Sequence, residues 1–532
     1  MSNPNRSVVE RDLPLSQSFI WNLQAKFYES LGIDAWLSGV VPSKITCNSF
    51  IARSYARQIA AYLSDVDAEN VTILDLGAGH GRFGFLCVQH LREMMEAGLL
   101  KTKNWRYVLT DVAERNVEYW QQHEALIPLA EEGLLDFARF EAGVDTGVDL
   151  RYSGDRIDAE NKTEHLVLVA NYFFDSLPID YFQVKNSELF EGCPVLSVSE
   201  DADCDDKKDS AIIKELKMTW ETRPAAEQPY DLSELNELIK DFQYSLGDTA
   251  FNVPIGSIET IQTLDAISEN GSCIITADKG YTHRNQLQGK DLPSMVQHGS
   301  CFSFSVNFSL LGEWITSRGG FALHPKFRDG ALEVSTLVTQ GKIEDYPNTQ
   351  FAYSEGAGHF SPSDFRNISR KAADQSPLPD LRHCLSLIRL SSYEPNTLYT
   401  LRRAIRRQIS DASDREKEAL LELLPRVANL YFHMDDDRDI PFAIGQIYQK
   451  LGNYDLAIPF FQDSIKLFGD DEVTWLNLSI CLFHSDQKSE AAECLEKSLE
   501  LSPSFEKAHV WKQKMANDLE KTDRKPISGQ IQ

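Results

Sequence analysis

VTILDLGAGHGRFGFLCVQHL, residues 71–91, joins an apolar run, a turn crowded with glycine and the start of a helix, and its register decides the fold. Val71 to Leu76 is too apolar for a surface strand and fits a central parallel one. Gly77, Gly79 and Gly81 let the chain turn sharply and let a ligand approach the backbone with no Cβ in the way. GHGRFG also satisfies G-x-G-x-x-G, the dinucleotide pattern that sets a pyrophosphate on a helix N-terminus. That match starts too late. Counted from Gly77, which directly follows the strand, Arg82 stands where the third glycine belongs. The register that begins at the strand end is D-x-G-x-G-x-G, with Asp75 ahead of the first glycine.

This register resembles motif I of class I S-adenosylmethionine methyltransferases, in which the glycine loop passes under the methionine part of a ligand that carries no phosphate. A helix from about Arg82 to Ala97 follows, and then WRYVLTD ends on Asp111, a carboxylate placed to accept both ribose hydroxyls and to disfavour a 2′-phosphate. The plain alternative is a glycine turn and two strand-end acids that only connect packed elements. It has to reproduce strand, acid, glycines, helix, strand and acid in that order.

At 532 residues the chain is too long for one ordinary core and predicts two or three domains. With 80 acidic against 53 basic residues its net charge is −27, which repels nucleic acid in the absence of a local basic patch. The densest basic cluster, Arg402, Arg403, Arg406 and Arg407, has helical spacing and reads as a solvated face. The N-terminal residues lack an apolar signal region, and no long apolar run predicts a membrane span. Nine scattered cysteines with no C-x-x-C indicate neither a disulfide framework nor a zinc site. A cytoplasmic protein is expected, with no metal site and neither nucleic acid nor membrane as partner.

Residues 14 to 65 read as helices packed beside the cofactor cleft. Strands at 71–76, 105–110, about 136–141, 166–170 and 272–277 then alternate with helices, which predicts an α/β Rossmann-like domain with a mainly parallel sheet and helices on both faces. Ligands on such sheets bind beyond the carboxyl ends of the strands. The residues there are Asp75 to Gly81, Asp111, Asp145, Asn171 to Asp175 and Asp278 to Tyr281. The fourth strand end, HLVLVANYFFDSLPIDYFQV, is chemically distinctive. Asn171 or Asp175 can orient a nucleophile or take its proton, while the aromatics exclude water. Equally, Asn171 can be a helix cap and Phe173 and Phe174 plain core.

In order, ILDLGAGHG, YVLTDVAERN, VANYFFDSLPIDYFQV, CIITADKGYTH and FSFSVNFSLLGEWITSRGG resemble the MidA-like branch of class I methyltransferases, over roughly residues 20 to 325. Asn171, Phe173, Phe174, Asp175, Leu177 and Pro178 match that family's N-E-F-F-D-A-L-P block; Asp278, Gly280 and Tyr281 match its D-Y-G-Y block; Val306, Asn307 and Phe308 approximate its T-A-H-V-D-F block. The resemblance implies S-adenosyl-L-methionine as cofactor. Asp75 and Gly77, Gly79 and Gly81 would hold its amino-acid end, Asp111 its ribose and Asp145 its adenine edge, with Asn171, Tyr172 and Asp175 facing the acceptor. It also implies a protein arginine as acceptor, but Tyr172 stands where the family has Glu, Lys279 where it has Tyr and Ser305 where it has His. Losing the Glu weakens the arginine reading, since carboxylates hold a guanidinium in bidentate geometry. Tyr172 can instead offer a ring face to a cation. His80 reads as a loop spacer, having no visible orienting partner.

CPVLSVSE and AIIKELKMTWETR suggest a β-hairpin insertion at about 190–225 around an acidic turn, soluble surface or else a recognition rim. Farther on, residues 440–503 carry a repeat with a period of 34, pairing Ala457 with Ala491, Phe461 with Leu495 and Ser464 with Ser498. That is the tetratricopeptide (TPR) pattern. The division expected is an N-terminal helical segment 1–70, a methyltransferase domain 71–375, a helical linker or degenerate repeat 376–440, repeats with a capping helix 441–520 and a disordered tail 521–532. The functional expectation is a methyltransferase acting on a protein side chain, with the repeats recruiting a protein substrate or partner. Two rivals stand beside it: a degenerate SAM-binding scaffold, and a small-molecule methyltransferase whose repeats only oligomerise it.

Overall fold

A computed structural model describes residues 6–37, 45–199, 210–326, 332–373, 378–434 and 436–523. The chain divides into two compact units, Met1–Asn367 and Ile368–Gln532.

The first unit is built on a seven-stranded sheet: β1 (Asn70–Leu76), β2 (Asn104–Asp111), β3 (Leu135–Arg139), β4 (His165–Asn171), β5 (Ser272–Asp278), β6 (Phe321–Leu323) and β7 (Glu333–Val338). The strand order is β6-β7-β5-β4-β1-β2-β3. The pairs from β5 through β3 are parallel, and only β7 runs antiparallel to its neighbours. Register explains the apolar runs. Leu74 lies opposite Val108 on one side and Leu168 on the other, and Leu168 opposite Ile274, all four at 0% exposure because helices cover both faces. A side chain of this kind, fully buried, stabilises the fold by about 1.5–3 kcal/mol. From β1 the chain moves outward through β2 and β3, then returns to place β4 on the other side of β1. The reversal opens a crevice at the carboxyl ends of β1 and β4.

Helices α1 (Ile20–Leu31), α2 (Ser49–Val66) and α3 (Arg82–Glu96) surround that crevice. Asn48 caps α2 by accepting the Ile51 N–H. Gly84 accounts for the misleading dinucleotide match. A Cβ there would lie 2.9 Å from the Tyr107 ring, so this glycine lets α3 pack closely on β2.

A five-stranded antiparallel sheet contains Arg6–Glu10, Asp180–Lys185, Glu188–Ser199, Lys217–Pro224 and Thr249–Val253. Ser197 pairs with Lys217 across the insertion, and its other side carries the N-terminal strand through Val8. The sequence reading of 1–70 as a helical segment does not include that strand. RSVVE is too short to show alternation, and its partner lies far along the chain, so tertiary pairing decides its state. Ala211 to Glu215, read as the start of a strand, instead lies in a 3₁₀ helix, Ser210–Glu215. The acidic turn at 200–209 lies outside the described residues.

The second unit is helical. Ile440–Leu451 with Tyr454–Phe468, and Glu472–His484 with Lys488–Leu501, form two helical hairpins in the expected register. Gly445 sits where a Cβ would be 3.0 Å from the Phe461 ring, and Ala457 and Ala491 are fully buried. Ser479 donates to the Ala491 carbonyl at 2.7 Å, fastening the second crossing. Ahead of them Leu381–Leu390, Pro395–Gln408 and Asp414–Asn429 form three helices. They occupy the stretch expected as a helical linker or degenerate repeat. Glu506–Asp523 packs as a terminal helix, and residues 524–532 of the expected tail lie outside the described residues. Among the described residues no helix is long and apolar enough to cross a membrane.

Candidate functional site

A cavity of about 270 Å³ lies at the carboxyl ends of β1, β2 and β4. Asp75 reaches it from the end of β1, Gly77, Ala78 and His80 from the glycine loop, Asp111 from the end of β2, Glu141 and Ala142 from beyond β3, and Asn171, Tyr172 and Phe173 from the end of β4.

The glycine loop is held by its own backbone. Ala78 donates to the Thr110 carbonyl at 2.8 Å and Gly79 to Asp111 Oδ2 at 3.1 Å. Gly77, Gly79 and Gly81 all have φ between 58° and 78°, the left-handed region that side chains disfavour. Their neighbours differ. A Cβ on Gly77 would meet the Phe173 ring at 3.2 Å, beside the cavity. On Gly79 it would meet Trp36 at 2.9 Å and on Gly81 the Trp120 Nε1 at 2.9 Å, and neither glycine is among the residues lining the cavity. The sequence reading gave all three to the ligand. The last two lie against indole rings.

Asp75 is 3% exposed and accepts a 2.9 Å hydrogen bond from the Tyr107 hydroxyl. Burial raises its pKa to about 7, the Tyr107 bond opposing and the nearby Asp111 charge adding. Asp111 is raised too, again by burial, against the pull of the Ala113 and Gly79 N–H groups. Two buried acids on one cavity wall suit a cationic ligand group and hydroxyl donors. His80 accepts the Arg82 N–H on Nδ1 at 3.1 Å, and burial depresses it to about 3, so its ring stays neutral.

Asp145 does not line the cavity. Its carboxylate accepts the Glu141 N–H at 2.7 Å and pairs with Arg139 at 3.3 Å, bracing the loop whose Phe140, Glu141, Ala142 and Val144 do. The sequence placed an acid at this strand end, but strand periodicity does not say which residue of a loop turns inward.

At the end of β4, Asn171 Oδ1 accepts a 2.8 Å bond from the Tyr55 hydroxyl of α2. Tyr172 follows with φ 53°, its N–H bonded to the Ala277 carbonyl at 3.0 Å. Its hydroxyl is buried with no hydrogen-bond partner among the described residues, and burial, with Asp278 and Asp175 nearby, raises its pKa. Strain and an orphaned polar atom at one residue make it a candidate functional position. Asp175, also expected to face the acceptor, is not among the lining residues and lies against Asp278. The structure therefore gathers Asp75, Gly77, Asp111, Asn171 and Tyr172 on one cavity and leaves Gly79, Gly81, Asp145 and Asp175 behind its walls.

The opposite wall was not individually legible. Trp21, Gln24 and Tyr28 of α1, with Trp36, Thr46 and Cys47, close the cavity. Gln24 ties this wall to the β4 loop by donating to the Ser176 carbonyl at 3.3 Å. Aromatics at helical spacing carry no mark that separates a cavity wall from core.

Residues 54–314 match the family described as "Putative S-adenosyl-L-methionine-dependent methyltransferase". Residues 442–471 and 473–505 match the tetratricopeptide repeat. A crystal structure from Burkholderia thailandensis bound to S-adenosyl-homocysteine is 12% identical, covering 65% of this chain and 91% of that one at a TM-score of 0.40. A MamA fragment from Desulfovibrio magneticus is 22% identical over 30% of this chain and 85% of that one, with a TM-score of 0.23. The peroxisomal targeting signal receptor of Candida glabrata is 32% identical over 72 residues, 14% of this chain and only 12% of that receptor's length.

Proposed function

From a chain whose residues 54–314 belong to the MidA-like S-adenosyl-L-methionine-dependent methyltransferase family and whose C-terminal region carries TPR repeats, we propose an enzyme that methylates a protein side chain, with the repeats recruiting that protein. The observation that carries this reading is the division of the cavity. Its described acidic lining residues, Asp75, Asp111 and Glu141, come from the β1, β2 and β3 ends, and the polar groups on the other side, Asn171 and Tyr172, from β4.

The residues fit the cofactor. Asp75, a buried acid raised to about 7, has a reason to be there if an ammonium group neutralises it. Gly77 keeps the loop clear beneath it, and Asp111 would accept ribose hydroxyls. S-adenosylmethionine, when bound, supplies an electrophilic methyl group on a sulfonium. The rest is positioning by this chain. Phe173, Tyr28 and Trp21 would exclude water, and Asn171, with its carbonyl engaged by Tyr55, would present its amide N–H side. Tyr172 would meet the acceptor with ring face and hydroxyl. Arginine fits less well than in the family pattern, because no described carboxylate from the β4 end lines the cavity.

The test is transfer of tritiated methyl from SAM in a cell lysate, with labelled species sized on a gel. A labelled protein band supports the reading, label only in small molecules favours the small-molecule rival, and SAM uptake without any transfer favours a scaffold.

A further inference from the structure

An unusual pair of buried acids lies just behind the cavity wall. Asp278, the last residue of β5, is 0% exposed. Its Oδ2 accepts the Phe174 N–H at 3.2 Å and the Thr276 hydroxyl at 3.3 Å, while its Oδ1 has no donor among the described residues. Asp175, 7% exposed, lies close enough for the two carboxyls to interact directly. Two acids in that contact, both out of water, do not both ionise, and a proton carried between them satisfies the orphaned oxygen.

The surroundings decide where the charge rests. Lys279 acts on Asp175 and favours its ionised form, whereas burial and the Asp175 charge hold Asp278 protonated. The other titratable groups that feel the pair are neutral near pH 7. Tyr55 of α2 and Tyr172 face Asp278; Tyr28 of α1 and Cys301 face Asp175; all four are raised, mainly by burial. His298, which feels Lys279, is lowered by burial.

The pair fastens the acceptor loop. Asn171 lies opposite Ala277 in the parallel ladder, Tyr172 donates to the Ala277 carbonyl, and Phe174 donates to Asp278 itself. On the far side the Asp175 carbonyl accepts Phe304 N–H at 3.3 Å and the Lys279 carbonyl accepts Val306 N–H at 2.8 Å. An apolar pair of similar volume would commonly be as stable or more so. Two acids retained beside a strained, cavity-lining tyrosine call for a role beyond stability.

We propose that Asp278 is a positioning residue for methyl transfer: sharing one proton with Asp175, it clamps residues 172–176 to the end of β5 and so sets Asn171 and Tyr172 toward the acceptor. This rests on the methyltransferase reading of the cavity. The full chain is compared with Asp278→Asn and Asp278→Ala. Asn keeps a donor toward Asp175 but cannot titrate.

Infrared spectroscopy of the wild type at pH 8 should show a protonated-carboxyl C=O band that shifts in D₂O and is lost in Asp278→Asn. Transfer of tritiated methyl in lysate should fall at alkaline pH in the wild type and not in Asp278→Asn, which otherwise stays within about threefold. Asp278→Ala should lose transfer by a factor on the order of thirty, typical of a lost positioned group, with SAM affinity by calorimetry within about threefold. SAM uptake with no protonated-carboxyl band overturns the shared proton and leaves the methyltransferase reading standing. So does Asn performing as badly as Ala, or Ala performing normally. A clear band with no SAM uptake overturns the methyltransferase reading and reduces the pair to a structural latch.

Discussion

The Gly79 N–H donates to Asp111 Oδ2 at 3.1 Å, tying the glycine loop after β1 directly to the acid that ends β2. The other oxygen, Oδ1, accepts the Ala113 N–H at 3.0 Å. Asp111 thus shapes the loop as well as facing the cavity. Asp111→Ala should weaken SAM binding by about 1.5–3 kcal/mol from lost charged hydrogen bonds, roughly ten- to hundredfold. Calorimetry checks the affinity. Because the loop is loosened as well, Asp111→Asn, which keeps one acceptor oxygen, should lose less than Ala.

Asp75 makes cofactor binding depend on pH. With its pKa near 7 in the free protein, the acid must lose a proton to meet an ammonium group. SAM affinity should therefore rise about tenfold per pH unit below 7 and level off above it. The stability sign runs the other way. Between the ordinary carboxylate value and about 7 the folded state holds a proton that the unfolded state has released, so Asp75's contribution to ligand-free stability is lost as pH rises through that window. Melting curves from pH 5 to 8 should show this trend, and Asp75→Asn should flatten it.

Tyr172 should separate chemistry from folding. Its hydroxyl has no partner among the described residues, so Tyr172→Phe should leave the melting temperature unchanged or raise it while reducing methyl transfer, if the hydroxyl meets the acceptor. Tyr172→Gly should relieve the backbone strain at φ 53°, a cost of order 1–3 kcal/mol, offset by lost packing. Parallel loss of stability and activity in Tyr172→Phe would assign the residue to the core.

The repeats should be separable. A chain ending near Pro379 should fold and bind SAM as the full chain does, yet lose its protein partner in pull-downs, with methylation of that partner falling mainly through KM because uniform binding energy has gone. Aggregation of the shortened chain, or loss of SAM binding, would contradict an independent recruitment module.

What the sequence made legible follows physical periodicity. The β1 run, the glycine turn and the strand-end acids announce a parallel sheet with its crevice, since buried parallel strands read as continuous apolar runs. The fixed 34-residue register announces the repeats because each hairpin needs its small residues at one crossing. Orientation within loops obeys no such period. Asp145 and Asp175 therefore looked like cavity residues and are not, while Val144 and Ala142 are. Gly79 and Gly81 looked like ligand glycines, but the rings they accommodate, Trp36 and Trp120, are distant in sequence and became visible only in the fold. Trp21 and Tyr28 are apolar-face residues of an amphipathic helix, a pattern shared by every core helix.

Titration of the full chain with SAM and, separately, with NAD in a calorimeter at pH 8, where Asp75 is ionised, tests the central claim most directly. The account predicts saturable 1:1 uptake of SAM, weakened in Asp111→Ala, and no comparable uptake of NAD. Tight NAD binding with no SAM binding would contradict it and return the glycine turn to the dinucleotide register.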